Sequence, residues 1–420
     1  MPSLTVPLVV RKVADRFKSC AGVSYGSLCT LIHCTACGIE TLADMVREAP
    51  WSPSESAISR SFNEFDSARV IKRMRSGLLC KLSAELNPER FCFAVDDTIV
   101  PRYGKFLFGI GNQRQHGKGG SMRGQRIMVL TLVDNERGVA YPLDFAMCFN
   151  VGAPGYIKGH DLCIKLVKGV IAEGFPPLFT TVDSWFDSIE LFEKFDIEGL
   201  TLIAEARQNR CVRSSASSKE PWKKWKDMLH KQQKVGVKLP KSNRAKKSKK
   251  TKYIATRRVR IKGRSKQVIA CAVYNKPFES AFFAVYISNN LALDGGDLWG
   301  YSRARWRIEE TFRILKQSLS LLTYPSTSES TCIANIVAPF LILNELYLNP
   351  EAWFGTKLQS VGKILKNYQE HEFWKMLDEI SRGTKRVTVI YLQKRRSQTE
   401  NQKKPVNPTA DDIRKYLSCA

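Results

Sequence analysis

Several acids in this sequence stand where charge is expensive. The run Phe91–Val100, FCFAVDDTIV, is aromatic and β-branched, then abruptly acidic at Asp96 and Asp97. Its composition predicts a strand buried on both faces. Two carboxylates closing such a strand are costly unless a metal ion or a nearby cation pairs with them. A capped loop is the plainer alternative. A second apolar run, Leu178–Trp185, delivers Asp183 in the same way. A third acid, Glu309, lies in Tyr301–Lys316, YSRARWRIEETFRILK, which lacks Pro and Gly and is rich in helix formers from Ala304 onward. A helix is predicted there. Arg305, Glu309, Phe312 and Lys316 recur at helical intervals and share one face, with Ile308, Phe312 and Leu315 as an adjoining apolar stripe. A carboxylate flanked by cations along one face is an unusual surface. Spacing alone equally suits a solvated helix with an i,i+4 ion pair between Arg305 and Glu309.

Strands and helices must bring these acids together. Arg126–Val133 and Val139–Phe149 read as two strands joined by the turn Asp134-Asn135-Glu136-Arg137-Gly138. His160–Ala172 reads as a helix, and Pro176-Pro177 punctuates the chain before the Asp183 strand. Asp187, one turn after Asp183, suits a helix N-terminal acid without chemistry. Leu200–Ala204 is a further buried strand ending at Glu205. The order is strand, strand, strand, helix, strand, helix, strand, which is α/β with a mixed sheet flanked by helices.

Composition narrows the partners. The net charge of +26 points to a polyanion, most simply nucleic acid. A membrane-surface role would need a basic amphipathic helix that stands out, and none does. The opening residues have no basic region before their short apolar run, and the longest apolar run, IVAPFLIL, is far short of a span. The expectation is a cytoplasmic protein. Twelve cysteines in a chain this long, several inside apolar runs, read as reduced core residues. His33-Cys34-x2-Cys37 is tested as a zinc site, but no second pair of matching spacing follows, and core cysteines are preferred. Five histidines leave a histidine-based nuclease little to draw on.

Flanking regions differ in character. Residues 1–88 read as short helices with breaks at Gly22, Gly38, Pro50 and Pro53. A helix-turn-helix-like DNA reader with Arg60 and Asn63 outward, and a helical cap on the next domain, fit equally. Gly109–Gly124 is Gly-rich and basic but has no Walker spacing. Its Arg114, His116, Lys118 and Arg123 suit DNA phosphate, and a plain hairpin connection suits the pattern equally. From Lys219 to Lys266 there are 20 Lys or Arg against two acids, so this window carries most of the excess charge. Lys238–Lys252 is too charged to pack and is read as a mobile arm, or as a nuclear-targeting signal. Tyr253–Ile261, Gln267–Tyr274 and Ala281–Ile287 read as strands. Trp222 and Trp225, interleaved with Lys in PWKKWK, suit stacking on unpaired bases, and ordinary packing is the preferred alternative. Ile333–Leu348 is an apolar helix expected to pack under the sheet, with a kink at Pro339.

Arg305-x3-Glu309-x6-Lys316 resembles the Y-x2-R-x3-E-x6-K signature of DDE transposases of the bacterial insertion-sequence-4 type. The signature's Tyr would fall at Ser302, and here the Tyr is Tyr301. Asp97-Thr98 after the first strand, the following PRYGK, and Asp183-Ser-Trp-Phe-Asp187 resemble the two Asp regions of the same family. The resemblance covers roughly residues 91–320 and implies a ribonuclease H-like fold in which the first and fourth strands lie side by side. It also implies catalytic and metal-binding roles for Asp97 (Asp96 as runner-up), Asp183 and Glu309, holding two Mg²⁺ or Mn²⁺ ions. DNA contacts are implied for Arg305, Lys316 and Tyr301, and suggested for Arg123, Lys118, Trp222 and Trp225. The expected division is an N-terminal helical domain at 1–88 and a catalytic domain at 89–206 and 298–380. A basic β insertion occupies 207–297 and a basic tail 381–420. The implied reaction is cleavage at terminal inverted repeats and joining to target DNA, by a homodimer on DNA. A nuclease without strand transfer and a non-catalytic DNA-binding protein are the alternatives.

Overall fold

The computed structural model describes residues 6–39, 45, 49, 52–114, 120–214, 220–229, 234–237, 252–276, 282, 284–322, 326–354 and 360–381. The chain divides into two compact units, 1–70 with 314–420, and 71–313.

In the first unit the described helices are α1 (Leu8–Phe17), α2 (Tyr25–Cys37) and α3 (Glu55–Asn63), with α10 and α11 from the far end of the chain. The expected helix Thr41–Glu48 and the tail from 382 onward lie outside the described residues. α2 starts on a Ser24 cap and stops at Gly38 in the left-handed region, where a glycine is favoured. His33 hydrogen-bonds the buried Tyr368 hydroxyl at 2.7 Å and lies 3.7 Å from the Cys37 sulfur, so the His-Cys motif is taken up in core packing. α10 (Glu329–Leu348) carries Pro339 and packs on α2 and α3. By length and composition it is apolar enough to cross a membrane, yet 83% of its apolar window is buried within the protein. A short turn of 3₁₀ helix (Pro350–Trp353) precedes α11 (Val361–Ser381). Asn63, expected on an outer face, accepts the hydroxyl of Ser328, the α10 cap, at 2.6 Å.

The second unit is built on a sheet of twelve strands among the described residues. α4 (Ser67–Leu82) leads into β1 (Phe91–Pro101), β2 (Ile110–Arg114), β3 (Ser121–Asp134) and β4 (Val139–Met147). Then come α5 (Gly159–Ala172), β5 (Thr180–Val182), α6 (Ile189–Ile197) and β6 (Leu202–Glu205). β4, β3, β1, β5 and β6 lie side by side in that order, with β3 antiparallel to both β4 and β1, and β1, β5 and β6 parallel. This is the ribonuclease H-like arrangement. Its physical basis is plain in β1: Phe91 to Val95 are fully buried, each large side chain contributing about 1.5–3 kcal/mol. The predicted turn closes β3 onto β4, with Gly138 at φ 65° and its N–H on the Asp134 carbonyl. The Gly-rich basic segment is a hairpin of β2 on β3, and residues 115–119 at its tip lie outside the described residues.

The basic segment does not leave the sheet. It supplies β7 (Cys211–Ser214), β8 (Lys223–Lys224), α7 (Trp225–Leu229), β9 (Val235–Val237), β10 (Lys252–Ile261), β11 (Gln267–Tyr274) and β12 (Ala284–Ser288). β12 pairs antiparallel with β6, and β11 and β10 follow. Of the Lys run, 238–251 lie outside the described residues. α8 (Gly295–Ala304) begins with a reciprocal Asp294–Asp297 capping box and packs Leu298 and Trp299 on β10–β12. α9 (Trp306–Gln317) follows directly.

Candidate active site

Three neighbouring parallel strands bring acids to the same level, at mid-strand in β1, just past the end of β5 and at the end of β6. Ala94 pairs with Thr181, and Val182 with Ala204, so Asp96, Asp183 and Glu205 stand in register across β1, β5 and β6. Burial lifts the Asp96 carboxyl well above the ordinary carboxylate range, and the charges of Asp183 and Asp97 add to this. Asp183 is raised by burial and by Asp97, with Arg305 opposing. Glu205 is raised by burial, again with Arg305 opposing and Asp183 and Glu309 adding. Four acids thus converge on one guanidinium.

That guanidinium is placed by a break in the predicted helix. Tyr301–Lys316 is not continuous: α8 ends at Ala304 and α9 starts at Trp306. Arg305 sits at the joint, its N–H bonding Ser302 and its carbonyl accepting from Ile308, both three residues away. The tight turn aims Arg305 at 2.7 Å from Glu309 and 3.6 Å from Asp96. Ile308, fully buried, anchors α9 behind it.

Asp97 takes a different cation. Its carboxylate is bonded by Arg126 of β3, whose own charged form is strengthened by that bond. Its N–H donates to Asp96 Oδ1 at 2.8 Å. Of the two adjacent acids, Asp96 shares a face with Arg305, and Asp97 is occupied by Arg126. Asp183 opens a tight loop and accepts the N–H groups of Trp185 and Phe186 at 3.0 and 3.4 Å. Asp187 is not a helix N-terminal acid: it is buried, bonded by Arg210 at 3.1 Å and by the Arg207 N–H at 2.8 Å, while Ser188 caps α6.

A model of the transposase DDE domain matches residues 88–344, well over half of the chain. The chain belongs to the DDE transposase family. A search of curated proteins finds no match. Among solved structures, the cryo-EM piggyBac transposase synaptic complex with hairpin DNA is similar at 12% identity and a TM-score of 0.42, over 97% of this chain and 75% of that one.

Other residues expected in this transposase-family site fall in varied places. Tyr301 is half-buried, packs edge-on against Phe179 at 4.8 Å, and gives its hydroxyl to the Pro88 carbonyl at 3.0 Å. Burial pushes it up to about 12. Lys316 lies on α9 beyond the boundary of the two units. Arg123 is exposed, reaching the Gly104 carbonyl at 3.5 Å. Lys118 and His116 lie outside the described residues. Trp225 is fully buried, which corrects its reading as a base-stacking residue; the short α7 turns the indole into the core. Trp222 is partly exposed, with Arg213 over its ring at 4.6 Å. Glu205 received no role from sequence. Its only signal there is an acid closing an apolar strand.

The donor chemistry suits a hard divalent cation: carboxylate oxygens on adjacent strands, their pKa values raised by burial and by one another. Among the described residues, no three His, Cys, Asp or Glu side chains already stand together as an ion-binding group. Glu309 rests instead on Arg305.

Proposed function

We propose that the chain cleaves transposon ends and joins them to target DNA by in-line phosphodiester displacement. The observation that supports this most is the register of Asp96 and Asp183 on adjacent parallel strands, with Arg305 and Glu309 beside them. On this reading Asp96, Asp183 and Glu309 would hold Mg²⁺ or Mn²⁺. Two such ions, when bound, supply activation of the attacking oxygen and stabilisation of the leaving oxygen. Asp96 replaces Asp97 as the preferred first ligand, because Asp97 is committed to Arg126. Arg305 offsets the acids in the protein alone and, with DNA bound, offers its guanidinium to phosphate, releasing Glu309. Arg126 keeps Asp97 satisfied and stands over the Trp185 ring. No protein nucleophile takes part. DNA ends and target DNA are the partners, two ends calling for a homodimer on DNA, in the cytoplasm. The basic strands beside β6 steer the polyanion.

The deciding assay incubates a labelled terminal-repeat duplex with plasmid and Mg²⁺. Joined product supports transposition. Cleavage without joining selects a nuclease, and binding without cleavage selects a non-catalytic DNA-binding protein.

A further inference from the structure

We infer that Arg213 and Arg260 form a phosphate contact for duplex DNA, set well apart from the phosphate that reacts, a role that rests on the proposed DNA chemistry. β7 and β10 run antiparallel with Arg260 directly opposite Arg213. Like charges so placed repel and weaken a sheet. Val212, Ser214, Val259 and Ile261 on either side are buried, so both arginines share the other face and are partly exposed there. Arg213 lays its guanidinium 4.6 Å from the Trp222 ring centroid. Among the described residues Arg260 has no acid partner, and its Nε is buried without a hydrogen bond. A buried donor without an acceptor is costly. A repulsive pair with an unfilled donor is a place that an anion completes.

The surroundings say which anion. β7, β8, β10 and β11 together hold seven Lys or Arg and no acid. Glu220, close by in the chain, is spent on the Ser214 N–H at 3.1 Å. The partner must bring the negative charge, and a two-fold contact with a second copy would set this patch against itself. A duplex carries one phosphate charge per about 1.7 Å of its axis. The pair is also distant from the acids. Glu205 faces Tyr286, Tyr286 faces Cys271 and Cys271 faces Thr256, three strands across, and Arg260 lies four residues further along β10. At about 4.8 Å per strand and about 3.3 Å per residue, the separation is roughly 20 Å. Thr256 and Arg260 lie on the same face of the sheet as Glu205, because side chains two or four residues apart share a face. About six base pairs of one duplex, at about 3.4 Å each, bridge that interval.

The full-length protein in EDTA is titrated with a labelled duplex of random sequence over a series of NaCl concentrations, and the logarithm of the binding constant is plotted against that of salt. Arg260→Gln should flatten the slope by about one, and Arg213→Gln with Arg260→Gln by about two. Arg260→Lys should keep the wild-type slope. Lys165→Gln, an equal loss of charge at an exposed position on α5, should leave the slope unchanged. Melting separates a binding role from a structural one. Arg260→Gln relieves the repulsion, so without DNA it should melt no lower than wild type, and its gain in Tm on adding duplex should be smaller. An unchanged slope in the double variant, or a slope that falls as far in Lys165→Gln as in Arg260→Gln, overturns the inference. Wild type that cleaves DNA with Mg²⁺ while the double variant keeps its slope sinks the phosphate contact alone. A flattened slope in the double variant beside a wild type that never cleaves keeps the contact and sinks the transposition reading.

Discussion

Two buried acid clusters lie along β1, one beside its start and one at its middle, and the two are built on opposite terms. Asp134, paired with Phe91 at the start of the strand, is fully buried and satisfied several times over. It accepts from Arg90 at 2.7 and 3.1 Å and from the N–H groups of Glu136 and Arg137 at 3.0 Å. Around it, Arg90 also meets Glu85 and Glu136. At mid-strand Asp96, with Asp183, Glu205 and Glu309, shares one Arg305, and three of the four have their pKa values raised, by burial first. The first cluster is built on an acid that is satisfied by two arginines and two backbone N–H groups and that fixes a turn. The second is excess negative charge held in reserve, which lowers stability and favours a cation. The difference teaches how to sort buried acids: by whether their partners suffice.

Exchanging acids in the two clusters tests this. Asp96→Asn should cut Mg²⁺-dependent cleavage by about 10³-fold or more while DNA binding and folding persist; retained cleavage would return the ligand role to Asp97. Asp134→Ala should leave Arg90 short of its main partner and cost about 3 kcal/mol in urea denaturation, the remaining acids softening the loss. A fall below about 1 kcal/mol would erase the contrast. Asp97→Asn strands Arg126, and a stability loss of about 2 kcal/mol is expected, with cleavage falling less than in Asp96→Asn.

Glu205→Gln is the finest probe. A carboxyl raised in the fold above its ordinary 4.5 penalises folding when ionised. That penalty is complete above the raised value and fades as pH falls toward 4.5. The metal-free variant should therefore exceed wild type by about 0.5 kcal/mol near neutrality, after solvent screening, and match it in acid. An advantage that grows on acidification would refute the assignment.

Sequence made the acids at 96–97 and at 183 visible, because abrupt charge after an apolar run is a local pattern. It also made the strand order visible, and with it the fold. Which of Asp96 and Asp97 faces Arg305 was not legible, since the period of two gives alternate faces but not which face meets a helix. The break at Arg305 was hidden because no Pro or Gly marks it. Glu205 gains meaning only through its alignment with Asp183, a property of strand pairing rather than of spacing. β12 joining β6 was equally hidden, for it links residues far apart in the chain. The buried Trp225 shows the converse error, in which a local aromatic-cation pattern was overridden by packing.

The pairing of Tyr286 with Glu205 has a mechanical outcome. Because the positively charged hairpin is hydrogen-bonded, strand by strand, to the very edge that presents this acid, no loose joint separates the two along that sheet. If the proposed function holds and a duplex rests on β10 or β11, the backbone ladders through β12 would connect that contact directly to the strand that presents Glu205.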